Sequence, residues 1–161
     1  WRGLVLADMQ AWYTPDDIHA AAALEEAFSL LRGDAEATTD VLRVAGRDIV
    51  IESSAGDVAL VTFAELCEAP LAARDYLAVA GKYAGIVMRG VPRFDDQNEA
   101  FARRFMWLID ALYDRSRFLI VSAATDIGSL YCGHQFTFEF SRTISRLGEM
   151  TRRGKLFQSD I

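Results

Sequence analysis

The sequence predicts an α/β protein, in which a parallel sheet with crossover helices follows an N-terminal helix and a small antiparallel β unit. From Val58 onward, apolar runs typical of strands alternate with helical patterns, which indicates parallel strands joined by helices. Apolar residues recur at helical spacing between Asp96 and Arg115. Segments in which apolar residues alternate with other residues flank Gly46, and this pattern predicts a hairpin.

The start of the chain predicts a strand followed by a helix. Residues 4–12 are apolar enough for a strand. Thr14 then suits a helix cap, Pro15 suits the first helical position, and the two aspartates that follow complement the helix dipole. We therefore expect a helix over residues 15–32. Its apolar stripe consists of Ala20, Leu24, Ala27, Phe28 and Leu31.

The next elements form the antiparallel unit and then the parallel sheet. Leu42 and Val44 alternate with a polar residue before the Gly46 turn, and the alternation resumes after it. A second turn at residues 55–57 leads into the first parallel strand. We expect strands at residues 58–63, 84–88 and 118–122, with helices at residues 71–83 and 96–115. A further short strand at residues 136–140 and a closing helix at residues 142–152 complete the prediction.

The helix at residues 96–115 has one apolar stripe, formed by Phe101, Phe105, Leu108, Ile109 and Leu112. Burial of each such side chain contributes about 1.5–3 kcal/mol. Arg103, Asp110 and Asp114 fall on the opposite, solvated face, and so does Trp107. An indole among exposed charges leaves apolar surface in water, so we expect Trp107 to pack on a neighbouring segment or on a partner. We interpret Asp110 and Asp114 as part of a solvated helix face rather than as a catalytic acid and base.

The amino-acid composition limits the classes of function that this chain can have. The chain has 161 residues, of which 52% are hydrophobic and 25% charged, as in ordinary globular domains. Its net charge of −6 argues against a nucleic-acid partner, because neutralising phosphates requires a basic surface. No apolar run approaches the roughly 18–20 residues of a membrane helix, so we expect no direct membrane insertion.

The cysteines and histidines predict no metal site. Cys67 and Cys132 lie far apart in unrelated contexts, and the chain has only two histidines. Cys67 is expected to act as a small buried hydrophobe without a nearby base. His19 and His134 are expected on the surface or in loops. Free thiols in this pattern favour a reducing compartment.

Two portions of one compact unit are expected. Residues 1–57 form the helix and hairpin portion, and residues 58–161 form the α/β portion with its C-terminal helix. The chain starts at Trp1, without Met and without a signal-peptide pattern. We therefore expect a fragment of a longer protein.

Two sequence blocks, residues 103–114 and residues 138–150, carry a family resemblance. Weaker pieces occur in the same order, namely Gly46-Arg47, Phe63-x-x-Leu66-Cys67 with Pro70, Asp75-Tyr76-Leu77 and Val91-Pro92. With these pieces the chain resembles the C-terminal region of the ZapE family of P-loop ATPases. That family acts in bacterial cell division and has mitochondrial relatives in protein quality control. The resemblance implies a partial P-loop-type sheet, with ATP and Mg bound by the full-length protein.

The phosphate-binding loop itself is missing from these 161 residues. It requires Gly, four residues, Gly-Lys and then Ser or Thr. Gly81-Lys82 is followed by Tyr83, and Gly154-Lys155 is followed by Leu156. Residues 86–94 resemble a strand that carries magnesium-site acids, but Arg89 and Gly90 stand where acids are expected. We therefore expect no catalytic residue, no metal ligand and no bound cofactor in this chain alone.

Three arginines are candidates for nucleotide phosphate contacts. Arg142 and Arg146 share one face of the closing helix, and their guanidinium groups suit phosphate oxygens of nucleotide in the same or an adjacent subunit. The alternative is that they form structural ion pairs with Glu139, Glu149 or helix ends. Arg104 is the third candidate, at the edge of the apolar stripe, whereas Glu99 is expected to pair with Arg103.

Two functions remain open. In the first, the chain supports the nucleotide core of a ZapE-like ATPase and contacts the remainder of the ATPase, other subunits or a protein client. That protein would be cytoplasmic, peripheral at the bacterial division site, or mitochondrial. In the second, the chain is a degenerate, non-enzymatic family member that serves as a structural subunit of a larger assembly, for example a mitochondrial one. An exposed Trp107 suits the second function.

Overall fold

The computed structural model describes residue 6 and residues 9–152 of the chain. The strands are β1 (Trp12–Tyr13), β2 (Thr38–Val44), β3 (Arg47–Ala55), β4 (Val58–Thr62), β5 (Gly85–Val91) and β6 (Phe118–Ala123). The longer helices are α1 (Ile18–Arg32), α2 (Ala73–Lys82), α3 (Glu99–Asp114) and α4 (Thr137–Met150). A π-helical turn, Ala64–Glu68, follows β4, and a 3-10 turn, Ile127–Ser129, follows β6.

The described strands form one six-stranded sheet with the order β1-β6-β5-β4-β3-β2. The first four strands in this order are parallel to one another, whereas β3 and β2 continue the sheet as an antiparallel hairpin. The α/β fold class predicted from the sequence is therefore confirmed. The turn between β3 and β4 marks the place where the antiparallel part meets the parallel part.

Helices cover both faces of the sheet. Helices α2, α3 and α4 pack on one face, where Val79, Phe105 and Leu147 belong to the same buried cluster. Helix α1 packs on the other face, where Leu24 and Phe28 meet the sheet. Because both faces are covered, the central strands are mostly apolar, and every residue of β6 is buried. Its residues alternate between the two clusters, as the period of a strand requires.

A buried ion pair ties the hairpin to α2. Asp75 is fully buried, and its Oδ2 lies 2.5 Å from Nη2 of Arg47 at the start of β3. The same oxygen accepts a hydrogen bond of 2.7 Å from the backbone N–H of Ala72, just before α2. This carboxylate therefore holds the hairpin, the helix start and the sheet together.

Most elements lie where the sequence predicted them. The hairpin around Gly46 is confirmed, and so are the helix at 71–83, the helix at 96–115 and the strands that begin near residues 58, 84 and 118, with small shifts at their ends. The strand predicted at residues 84–88 extends to Val91. Four residues of the α3 stripe, from Phe105 to Leu112, are buried, and Phe101 is half-buried against the ring of Phe63.

The start of the chain differs from the prediction. The strand expected at residues 4–12 is limited to Trp12 and Tyr13, Leu6 is helical, and residues 1–5 and 7–8 lie outside the described part. Helix α1 begins at Ile18 rather than at Pro15, because Asp17 caps it by accepting a 2.9 Å hydrogen bond from the Ala20 N–H. The segment before Asp17 instead runs across the end of the sheet.

The strand predicted at residues 136–140 is wrong, because most of these residues belong to the first turn of α4. Alternating phenylalanines suggested a strand, but Phe138 is 85% exposed whereas Phe140 is buried. Phe140, Thr143, Leu147 and Met150 are spaced three, four and three residues apart and form the buried stripe of a helix. The helical period of the longer segment therefore prevails over a local alternation.

The basic residues Arg153 and Lys155 lie outside the described residues. Within the described part, every helix is too short or too polar to cross a lipid bilayer.

Candidate functional site

The carboxyl ends of the parallel strands frame a cleft. Strands β1, β6, β5 and β4 run in the same direction, so their last residues lie along one edge of the sheet. The chain leaves β1 toward α1 on one face, whereas it leaves β4 and β5 toward helices on the other face. Where connections diverge in this way, an open α/β sheet forms a crevice that commonly binds ligands.

This carboxyl-edge cleft has a volume of about 450 Å³. One wall comes from the segment that enters α1, the other from the turn after β4, and the end of β5 closes the base. Its apolar lining residues include Ile18, Ala64 and the buried Phe63, and its charged groups include Asp16, Glu68 and Arg89. A cleft of this size suits a small ligand or a short peptide segment.

A buried hydroxyl fixes Asp16 at the cleft. Ser122 of β6 is fully buried, and its Oγ donates a 2.8 Å hydrogen bond to Oδ1 of Asp16. The same Oγ accepts a 3.2 Å hydrogen bond from the N–H of Gly90. Gly90 has a φ of +81°, and the pairing of β5 with β6 shifts register at this point, which frees its N–H for Ser122. Three segments distant in sequence therefore position one carboxylate.

The cleft carries more negative than positive charge. Asp16, Asp17 and Glu68 line it, and Arg89 is the opposing cation. Asp17 keeps one oxygen on the cap of α1. Glu65 is not one of the residues that line the cleft. Its Oε1 accepts hydrogen bonds from the N–H and the hydroxyl of Thr62. Among the described residues, no group of three or more His, Cys, Asp or Glu side chains is arranged to hold a metal ion.

The two predicted phosphate arginines of α4 meet at Asp110 of α3. Nη1 of Arg146 lies 2.5 Å from Oδ1 of Asp110, and Nη2 of Arg142 lies 3.3 Å from Oδ2. The Arg146 guanidinium also lies 4.6 Å from the ring centre of Tyr113, whose hydroxyl donates a 2.7 Å hydrogen bond to Glu149. Structural ion pairing was one of the two predicted roles, with Glu139, Glu149 or helix ends as partners. The observed partner is Asp110, which the sequence placed on the solvated face of its helix. Contact of either arginine with nucleotide stays a prediction.

Arg104 lies apart from those two arginines. Its Nη1 donates a 3.3 Å hydrogen bond to the backbone oxygen of Cys67, and the guanidinium rests over the ring of Phe101. Burial raises the pKa of the Cys67 thiol well above its usual range, which makes it a poor nucleophile, as the sequence suggested. The structure therefore does not bring the three candidate arginines together at one place.

The predicted pair between Glu99 and Arg103 is wrong. Glu99 instead holds the loop before α4, because it accepts hydrogen bonds from the Tyr131 hydroxyl at 2.6 Å and from the Gln135 N–H at 2.7 Å. Burial and the neighbouring Glu99 raise the pKa of Tyr131 to about 12, so its hydroxyl stays a donor. Arg103 lies over the indole of Trp107, with 5.0 Å between the guanidinium carbon and the ring centre.

Trp107 is half-buried rather than fully solvated. It packs against the edge of the α2–α3–α4 cluster and carries Arg103 on its ring. Arg103, one helical turn earlier on the same helix, therefore covers part of the indole. Its role as an interface residue stays a prediction.

Sequence reasoning missed the carboxyl-edge cleft. It treated Arg89 and Gly90 only as residues that stand where magnesium-site acids are expected, and it treated Asp16 and Asp17 only as helix-dipole residues. The available signal was the position of these residues, since Arg89 and Gly90 lie near the end of β5, Asp16 and Asp17 come shortly after β1, and the ends of parallel strands share an edge.

Comparison with known proteins gives a consistent assignment. The sequence model of the AFG1-like ATPase family matches residues 1–158. The cell division protein ZapE of Escherichia coli is 28% identical over 93% of this chain and 40% of its own length. Lactation elevated protein 1 homolog B of zebrafish is 34% identical over 91% of this chain and 30% of its own length. The chain thus spans well under half the length of these curated relatives, and no solved structure matches it.

Proposed function

The chain belongs to the AFG1-like ATPase family, and from this premise we propose that it is the C-terminal part of a ZapE-like ATPase. In this proposal the full-length protein binds and hydrolyses ATP with Mg. The family match over residues 1–158 is the observation that carries the proposal. The 161 residues contain no phosphate-binding loop, so the residues that hold the phosphates and the metal ion lie in another part of the polypeptide.

The chain's own contribution to hydrolysis is a pair of guanidinium groups on α4. Arg142 is 62% exposed and Arg146 is 23% exposed, so Arg142 keeps donors that face solvent. Asp110 holds both side chains on the same helix face. A phosphate presented to this face by the nucleotide-binding part, or by an adjacent subunit, would meet pre-oriented donors. Arg104 is the weaker candidate, because the Cys67 oxygen and the Phe101 ring already engage it.

The chain also supplies contact surfaces in this proposal. Trp107, together with Arg103, forms an amphipathic patch on the solvent side of α3, and indole and guanidinium groups are enriched at protein interfaces. The partners are the remainder of the ATPase, other subunits or a protein client. The E. coli relative is named a cell division protein. We place this protein either at the bacterial division site, as a peripheral cytoplasmic component, or in mitochondrial protein quality control.

A second candidate function is that of a non-enzymatic structural subunit in a larger assembly. The pairing of both α4 arginines with Asp110 favours it, since these arginines already have a structural partner. The two functions differ in one property, which is the binding of nucleotide by the full-length protein.

Thermal unfolding of the full-length protein with Mg-ATP distinguishes them. If the protein binds Mg-ATP, a hundredfold excess of nucleotide over Kd should stabilise it by about 2.7 kcal/mol. Mg-ATP should also be hydrolysed. An unchanged melting temperature together with no phosphate release would contradict the ATPase function and support the structural one. Magnesium alone serves as the control for ion effects, and Mg-ADP separates nucleotide binding from hydrolysis.

A further inference from the structure

The carboxyl-edge cleft presents an apolar surface that nothing in the described part of the chain covers. Ile18, at the first position of α1, is 80% exposed although it faces this cleft. Ala64, which is exposed, continues the apolar surface on the opposite wall, whereas the lining residue Phe63 is buried. Isolated exposed aliphatic residues are common on protein surfaces, but one that lines a concave site together with other apolar groups marks a place where a further side chain fits.

The charge of the cleft specifies what kind of side chain that is. Three carboxylates line it, those of Asp16, Asp17 and Glu68, against the single guanidinium of Arg89. Among the described residues, neither Glu68 nor Arg89 belongs to an ion pair. A lysine or arginine entering beside the apolar wall would compensate the excess of negative charge. An acidic group in the cleft would be repelled by these carboxylates.

The polar side of the cleft is held in place before any ligand arrives. The buried Ser122 hydroxyl fixes Asp16, and the cap of α1 fixes Asp17. A carboxylate that is already oriented loses little conformational entropy on binding, which favours a specific occupant over a transient one.

We propose that the carboxyl-edge cleft is the docking site of a peptide segment that carries a basic side chain next to an apolar one, and that this segment belongs to the same polypeptide outside residues 1–161. The inference rests on the proposed function, in which this chain is one part of a longer ATPase. The curated relatives are longer than the matched region by a factor of two or more, since the match covers 40% of one and 30% of another. A covalently linked segment also needs no high intrinsic affinity, because its effective concentration is in the millimolar range.

Photo-crosslinking in the full-length protein tests the proposal. p-Benzoylphenylalanine replaces Ile18 in one variant and Ala64, which is exposed on the opposite wall, in a second variant. Val50, which is 49% exposed on the hairpin, is the control position. After illumination, mass spectrometry identifies the crosslinked peptides. The two cleft positions should yield an intrachain crosslink to one segment outside residues 1–161 with Lys or Arg beside an apolar residue, and the control position should not.

Charge reversal tests the electrostatic part. Glu68→Lys should reduce the yield of this crosslink about fivefold, and the control Glu25→Lys, an exposed glutamate on the same helix as Ile18, should leave it unchanged. Thermal unfolding of each variant verifies that it is folded. No crosslink from either cleft position, or crosslinks only to other polypeptides, would overturn the proposal. These outcomes in a protein that hydrolyses ATP contradict the docking segment alone, whereas the absence of nucleotide binding contradicts the proposed function.

Discussion

Arg146 of α4 and Asp110 of α3 form an ion pair in which Nη1 and Oδ1 lie 2.5 Å apart, and Arg142 joins the same carboxylate from one helical turn earlier. Asp110 therefore neutralises part of the positive charge of the two arginines that we propose to contact phosphate. It also connects the two helices that carry the two sequence blocks of the family resemblance. The same carboxylate thus joins α3 to α4 and orients the two arginines that we propose to contact phosphate.

Removal of this carboxylate should loosen the contact between α3 and α4. Asp110→Asn should lower the free energy of unfolding by about 1–2 kcal/mol, because the acceptor is partly buried and serves two guanidinium groups. Asp114→Asn, an exposed position on the same helix, is the control and should change it by less than about 0.5 kcal/mol. Urea denaturation at constant pH measures both. Equal effects of the two substitutions would show that the ion pair contributes nothing.

Arg142→Ala separates the structural role of this arginine from its proposed role at phosphate. In the full-length enzyme we expect ATP turnover to fall at least about tenfold while the unfolding free energy changes by less than about 1 kcal/mol, because this arginine is more than half exposed. Arg43→Ala, which removes an exposed pair with Asp48, is the control. Activity and stability that fall in parallel would assign Arg142 a structural role only.

The buried pair of Arg47 and Asp75 should contribute much more to stability than the exposed pair of the same hairpin. Arg47→Ala leaves the fully buried Asp75 carboxylate without its cation, and we expect a loss of about 2–4 kcal/mol. Arg43→Ala breaks a pair whose side chains are 68% and 52% exposed, and we expect a loss below about 1 kcal/mol. Chemical denaturation of both variants compares them. A similar loss for the two would contradict the assignment of Asp75 as a central tether.

The interaction between His134 and Asp96 should make stability depend on pH. The hydrogen bond to Asp96 and the charge of that carboxylate raise the pKa of His134 above its ordinary value of about 6.5. Since the folded state binds the proton more tightly than the unfolded state, the contribution is fully present below about pH 6.5 and is lost as pH rises through the folded pKa. NMR titration of His134 should show the raised pKa in the wild type.

Asp96→Asn provides the comparison for that titration. The pKa of His134 should fall toward its ordinary value in this variant, and it should stay raised in Asp114→Asn, which changes a carboxylate at the other end of α3. An identical His134 titration in the wild type and in Asp96→Asn would refute the assigned cause.

The sequence predicted those elements whose signal is local. The β2–β3 hairpin follows from alternation around Gly46, and the buried strands β5 and β6 follow from continuous apolar runs between helices. The strand predicted at residues 136–140 failed because three alternating phenylalanines outweighed a helical stripe that continues to Met150. The start of α1 was misplaced because both Thr14 and Asp17 suit a cap, and Asp17 is the residue that accepts the hydrogen bond from the Ala20 N–H.

The carboxyl-edge cleft depends on contacts that no local pattern encodes. Asp16 and Ser122 are separated by 106 residues, and Gly90 and Ser122 by 32. Only the strand order brings the ends of β5 and β6 beside the entry to α1. The partner of the α4 arginines was missed for the same reason, since sequence reasoning considered acids on α4 itself and Asp110 lies on another helix.

Phosphate release from Mg-ATP by the full-length polypeptide tests the central claim most directly. If residues 1–158 are the C-terminal part of a working AFG1-like ATPase, the full-length protein should release phosphate at a rate that saturates with Mg-ATP. Removal of magnesium with a chelator should abolish the release. A folded full-length protein that neither binds Mg-ATP nor releases phosphate above the uncatalysed rate would contradict the account.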